Sequence, residues 1–246
     1  MAKFYVINAI PYVNAAPHIG HALEFVQADT IARFRRILGD DVFYSFGSDE
    51  NSLKNVQSAE KEGVTTRQLV DKYAKRFDEL KKPLNLSYDV FNRTATPEHF
   101  KGAQKFWAAC KREDIYKKAY VGLYCVGCEE FYTEDELVEG KCPDHKVVPE
   151  RVEEENYFFR LSKYQKHIEQ LLASGELKII PEKRAHEMLT FVREGLQDFS
   201  VARARERAKN WGVAVPGDDN QIMYVWFDAL ANYINVLGYG TDDNLF

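Results

Sequence analysis

The sequence has little of what would place it in several protein classes. No run of 18 apolar residues occurs in its 246, so no membrane span is expected. Met1-Ala2-Lys3 leads straight into strand-like residues. No apolar stretch with a small-residue cleavage site precedes them, so no signal peptide is expected and the chain reads as cytoplasmic. The four cysteines are then thiols or metal ligands rather than disulfides. Basic excess is absent too: the formal net charge is -5, whereas nucleic-acid binders usually draw on a positive balance. A local basic face is left to Arg203, Arg205, Arg207 and Lys209. Neither G-x-x-x-x-G-K-[ST] nor G-x-G-x-x-G occurs, so any nucleotide site must use another device. There is no internal repeat and no low-complexity tract.

What is present is a globular composition, with 45% hydrophobic and 13% aromatic residues. The length suits one large or two modest domains. KFYVINA (3–9) predicts a buried strand. Helical spacing then runs from Pro17, placed in the first turn, to Gly39. VFYSF (42–46) predicts a second strand. Strand, helix and strand in about 45 residues form a βαβ unit, whose strands run parallel. Further helices are expected over 66–82, 96–111, 162–175 and 182–195. Residues 115–150 change texture and predict short strands and turns. Residues 197–221 are polar and basic. YVWFDALANYINVL (224–237) predicts a strand continuing as an amphipathic helix.

Ligands of an open parallel sheet bind beyond the carboxyl ends of its strands. There the loop 9–17 and the segment Gly47-Ser48-Asp49-Glu50 become neighbours. His18 and His21, three apart, share one face at a helix N-terminus, where free N–H groups and a partial positive charge suit phosphate. On spacing alone they are phosphate donors or surface and capping residues. Trp226, Ala229 and Tyr233 share a helical face that is a pocket wall or plain core.

Cys125-x2-Cys128 is followed, after 13 intervening residues, by Cys142-x2-His145. Facing turns eased by Gly127 and Gly140 can bring three sulfurs and one nitrogen around a zinc ion. Four protein ligands leave no place for a reactive water, which points to a structural metal. Two thiol pairs or a disulfide are the other readings. Cys110 is expected to be an inert core thiol.

PYVNAAPHIGH (11–21) resembles the first signature of the class I aminoacyl-tRNA synthetases, in its methionyl form. GSDE (47–50), LQDFSVARARERAKNWGVAVP (196–216) and YVWFDAL (224–230) resemble further segments of that family in the same order. The resemblance covers essentially the whole chain. It implies an α/β fold with a Rossmann-like parallel sheet, a zinc-bearing connective insertion and a truncated end. The implied domains are 1–114 (first catalytic half), 115–222 (insertion, with the zinc knuckle at 125–145) and 223–246 (start of the second catalytic half).

By the same resemblance His18, Gly20 and His21 contact the phosphates of ATP, which is bound with Mg2+. Asp49 takes the ammonium of methionine, assisted by the backbone of Ile10. Tyr12, Trp226, Ala229 and Tyr233 line its side-chain pocket. The implied activity is methionine–tRNA ligation, with tRNA(Met) as the partner. Two departures stand out. Asn51-Ser52 replaces the family's His-Gly. The lysine-rich second signature loop is absent, since Arg160-Leu161-Ser162-Lys163-Tyr164 lies inside the insertion. The chain is therefore expected to be a fragment of weak activity. The competing readings are another class I synthetase, an acyl-adenylate-forming nucleotidyltransferase and a non-catalytic zinc-bearing tRNA-binding module.

Overall fold

In the computed structural model, which describes residues 1–128 and 130–241, the chain opens with strand β1 (Lys3–Ile7), helix α1 (Ile19–Ile37) and strand β2 (Asp41–Ser48). β1 and β2 pair in parallel from Lys3–Asp41 to Ile7–Ser45, as a helical crossover requires. α1 buries Phe25, Ala28 and Ala32, spaced three and four apart, on the sheet. Gly39 follows its end with φ +87°, a backbone angle that favours glycine.

Helices α2 (Leu53–Glu62) and α3 (Thr66–Glu79) lead to strand β3 (Val90–Arg93), which pairs in parallel with β2. The sheet order is β1-β2-β3. β2, the central strand, is buried continuously from Tyr44 to Ser48, the pattern of a strand covered on both faces. Phe25 and Phe46 pack at 4.2 Å between ring centroids, and Phe77 of α3 meets Phe25 edge-on. β1 is an edge of this sheet, and α1 exposes Leu23, Phe34 and Ile37 nearby.

Helix α4 (Pro97–Ala109) starts as expected, with Thr96 as the cap and Pro97 at the first position. The chain then forms β4 (Ile115–Cys125), β5 (Glu130–Tyr132), β6 (Glu150–Phe159), α5 (Gln165–Ser174), α6 (Glu182–Glu194), β7 (Phe199–Ser200), β8 (Ala202–Ala204), β9 (Ala214–Val215), β10 (Asp218–Met223) and α7 (Val225–Asn235). An antiparallel sheet runs β5-β4-β6-β7, and a small one runs β8-β10-β9. Ala103 and Trp107 of α4 share a second core with Met223, Phe227 and Ala231.

Several expectations are corrected. α1 begins two residues after Pro17, because the His18 side chain caps it. The 115–150 stretch is not built of short strands alone: β4 has 11 residues and pairs with β6 from Ile115–Phe159 to Tyr124–Glu150. The polar 197–221 stretch holds short strands. The strand preceding α7 ends at Met223, and Tyr224 is the helix cap. α2 and β3 escape the sequence reading. α2 buries only Val56 and Ala59 among apolar residues, and β3 has four half-buried residues. The last five residues of the 223–246 segment lie outside the described residues.

Candidate active site and metal centre

The loop leaving β1 and the segment leaving β2 meet at a parallel bridge between Tyr12 and Asp49, with the Asp49 N–H donating to the Pro11 carbonyl at 2.9 Å. The geometry rule for parallel sheets thus brings the two expected loops together. Residues 49–51 are held from several sides. Asn55 Nδ2 donates to the Asp49 carbonyl at 3.2 Å, and the Glu50 N–H donates to Thr94 Oγ1 at 2.8 Å. Trp211 Nε1 donates to the Glu50 carbonyl at 2.7 Å. The Glu50 carboxylate, fully buried, takes both arms of the Arg93 guanidinium at 2.6 and 2.9 Å. Such a bidentate pair fixes direction as well as charge. Asp49 itself is only 5% exposed.

α7 brings its residues to this bridge from the far end of the sequence. Trp226 Nε1 donates to the Tyr12 hydroxyl at 2.9 Å. Burial first, and the nearby Asp49 charge after it, raise the Tyr233 pKa, while a hydrogen bond from the Ile10 backbone opposes them. Ile10, Tyr12, Asp49, Trp226 and Tyr233 therefore gather at one place. Ala229, 7% exposed, lies between Trp226 and Tyr233 on the same helical face.

His18 and His21 form a reciprocal capping box. His18 Nδ1 accepts the Gly20 N–H at 3.1 Å, and His21 Nδ1 accepts the His18 N–H at 3.2 Å. Their rings stack with centroids 3.9 Å apart. A Cβ on Gly20 would come within 2.9 Å of the His18 ring, so glycine is what admits this cap. With both Nδ1 atoms accepting, each neutral ring carries its proton on Nε2. Burial first, and the His18 ring second, lower the His21 pKa. The structure shows the capping reading, and the cap uses only Nδ1 of each ring.

Ser52 caps α2, accepting the Lys54 N–H at 2.9 Å. Asn51 Nδ2 bridges the Thr94 carbonyl at 3.1 Å and Asp228 Oδ1 at 3.3 Å. Neither residue had been given a role. Asp228, His99 and Arg93 were missed as well. A single charged residue in an otherwise uncharged helix was the available signal at Asp228.

Cys125, Cys128, Cys142 and His145 offer ligand atoms all within 4.8 Å of one another. Cys128 Sγ lies 3.3 Å from Cys142 Sγ and 3.2 Å from His145 Nδ1. Three sulfurs and one imidazole at this spacing can hold a metal ion, and Cys125 and Cys142 are buried. A Cβ on Gly127 would approach the His145 ring to 2.5 Å. Gly140 has φ +71°. Burial pushes the Cys128 thiol up, to about 12. Burial acts the same way on Cys142, but hydrogen bonds led by the His145 N–H bring it down to about 6. Tyr132 donates to Cys128 Sγ at 3.1 Å. Cys110 stands apart at the end of α4, half-buried, with its pKa raised by burial.

The string 160–164 is structural. Lys163 Nζ lies 2.6 Å from Asp114 Oδ1, and the Ser162 hydroxyl donates to Asp198 Oδ1 at 2.6 Å. The suspected basic face is largely spent inside the protein. Arg203 is 8% exposed and donates to Ser200 Oγ and the Ala202 carbonyl, both at 2.8 Å. Arg207 pairs with Glu150 and Glu154, and Lys209 with Glu60.

The family described as "tRNA synthetases class I (M)" matches residues 4–151 and 145–245. The chain belongs to the methionyl class I tRNA synthetases. Methionine–tRNA ligase of Brucella suis biovar 1 is 43% identical over 242 residues, covering 96% of this chain and 46% of that protein. The Thermotoga maritima ligase is 42% identical over 249 residues, covering 99% and 39%. The chain thus spans less than half the length of these curated relatives. Among solved structures, Mycobacterium tuberculosis methionyl-tRNA synthetase bound by methionyl-adenylate superposes with a TM-score of 0.91 at 39% identity, over 99% of this chain and 49% of that one. The free form of that enzyme scores 0.79 at 38% identity. With identity nearly equal, the chain's arrangement is nearer to the adenylate-bound form. Among the described residues, no helix is long and apolar enough to cross a membrane.

Proposed function

We propose that this chain is the methionine- and ATP-binding part of a methionine–tRNA ligase. The observation that carries the reading is the convergence of Ile10, Tyr12, Asp49, Trp226 and Tyr233 from opposite ends of the sequence. Asp49 receives the ammonium of methionine, and Ile10 assists through its backbone. The thioether has no charge and only a weak acceptor, so an apolar, shape-fitted wall suits it. Tyr12, Trp226, Ala229 and Tyr233 supply that wall.

ATP, with Mg2+, lies with its phosphates at the start of α1. There His18 and His21 donate from Nε2, and Gly20 keeps the backbone open. The methionine carboxylate attacks the α-phosphate, giving methionyl-adenylate and pyrophosphate. The 2′-hydroxyl of the terminal adenosine of tRNA(Met) then takes the methionyl group. The chain's task in the first step is alignment and charge stabilisation. Alignment contributes roughly 7–11 kcal/mol, and one preorganised donor about 3–4 kcal/mol.

Cys125, Cys128, Cys142 and His145 hold zinc in a closed shell that orders the tip of the β4–β6 sheet. A cleft of about 780 Å³ between Cys128 and Trp226 is lined by Phe131, Phe199 and Tyr224. Rings of this kind suit the unpaired end of a tRNA. A cytoplasmic setting is part of the proposal.

The test is calorimetric titration with a non-hydrolysable methionyl-adenylate analogue and its leucyl counterpart. Binding of the methionyl compound alone, abolished by Asp49→Ala, is the expected result. Equal binding of both, or of neither, contradicts the reading.

A further inference from the structure

One face of α7 carries Trp226, Ala229 and Tyr233. Another buries Asp228 and Asn232 and turns the half-buried Asn235 toward α4, with Asn232 meeting Asn92 of β3. The Asp228 and His99 side chains both have no exposure. A carboxylate in such a place is unfavourable unless charges or directed donors meet it. Asn51 Nδ2 donates to Asp228 Oδ1 at 3.3 Å, and His99 Nε2 lies 3.4 Å from the same oxygen. The Asn235 amide meets His99 Nδ1 at 3.2 Å and donates to the His99 carbonyl at 3.3 Å. With Nδ1 accepting, the N–H of a neutral His99 is on Nε2, on the Asp228 side but without hydrogen-bond geometry to it. Asn51 is two residues beyond Asp49, in the segment already clamped by Thr94 and Trp211.

We infer that Asp228 is a positioning residue: through Asn51 and His99 it locks α7 onto the segment that presents Asp49, and so fixes the gap between Asp49 and the Trp226–Ala229–Tyr233 face. This rests on the reading of that gap as the methionine pocket. Asp228 acts through α7 and not by touching the amino acid. A gap of fixed width is what lets a pocket reject a longer side chain, and one methylene is worth at most roughly 10–200-fold. A loosened gap gives up part of that ratio.

The isosteric Asp228→Asn variant keeps the shape but removes the charge and replaces one acceptor oxygen by an N–H2 donor, which weakens the hold on the Asn51 amide and the neighbouring His99. Equilibrium dialysis of the 246-residue chain with methionine and with ethionine, one methylene longer, reads the outcome. Wild-type binding of methionine over ethionine is expected. In Asp228→Asn, methionine affinity should fall about tenfold, as for a lost buried partner, and ethionine affinity by less. Asn51→Ala should do the same, and the double variant should be no worse than either single one. That pair also covers an Asp228→Asn chain that fails to fold. Amide exchange should rise together in 47–53 and 225–235. Unchanged methionine affinity in the variants, or an equal loss for both ligands, overturns the positioning role alone. A wild-type chain that binds neither amino acid overturns the pocket reading and this inference with it.

Discussion

His21 Nδ1 accepts the backbone N–H of His18 at 3.2 Å, and the two rings stack at 3.9 Å. One pair of side chains thus caps the start of the helix, using Nδ1 of each ring. On the proposed reading the cap and the phosphate site share these two side chains, and substitutions can separate the two roles. His18→Asn keeps a capping oxygen, so its melting temperature should stay close to wild type while affinity for an adenylate analogue falls. His18→Ala should lose both, with a stability cost of about 1 kcal/mol. Thermal melts beside titrations check this. Equal loss of stability in both variants contradicts the cap.

The lowered His21 pKa has a pH consequence. The unfolded histidine binds a proton near 6.5, and the folded one only at lower pH. The stabilisation from a neutral His21 is therefore present above 6.5 and is lost as pH falls below it, down to the folded value. Urea unfolding between pH 8 and 5 should show this slope, and His21→Gln should flatten it.

Asp29 gives a second pH-linked test. Burial pushes its carboxyl up, but the Arg33 and Ser87 hydrogen bonds outweigh this and hold it below the usual carboxylate range. Its Oδ1 accepts both the N–H and the hydroxyl of Ser87, tying α1 to the segment before β3. This stabilisation is present above about pH 4 and fades as pH falls through the folded value. Asp29→Asn should cost about 1–3 kcal/mol at neutral pH and leave acid unfolding shallower.

The metal centre should report on Gly127. Gly127→Ala places a methyl against the His145 ring, 2.5 Å from it without movement. Zinc affinity, read by chelator competition, should fall by tenfold or more, in the range of disturbed ligand orientation. Cys128→Ser should lose zinc outright. Unchanged affinity in Gly127→Ala contradicts the ligand role of His145.

The sequence made the βαβ unit legible because Ala22, Phe25, Val26, Ala32 and Phe34 recur at helical spacing beside two apolar strands, although Val26 and Phe34 prove exposed. The metal cluster was legible because its four ligands lie within 21 residues, Cys125 to His145. α2 and β3 were not, since burial there falls on Asn55 and on four half-covered residues. Asp228 and His99 were illegible for a different reason. Their partnership spans 129 positions, and only the packing of α7 on α4 creates it. The length of β4 was hidden by Lys117, Lys118 and Gly122, which interrupt its apolar pattern while β6 pairs with all of them. The apparent basic run dissolved because acidic partners at 150, 154 and 60 lie far off in sequence.

On the proposed reading Asp49 and the α7 face form one methionine site beside the α1 start. A crystal structure of the chain with a methionyl-adenylate analogue would show whether they do. The ammonium is expected at the Asp49 carboxylate, the thioether against Trp226, Ala229 and Tyr233, and the phosphate mimic within reach of Nε2 of His18 or His21. A ligand bound elsewhere, or an ammonium turned away from Asp49, would contradict it.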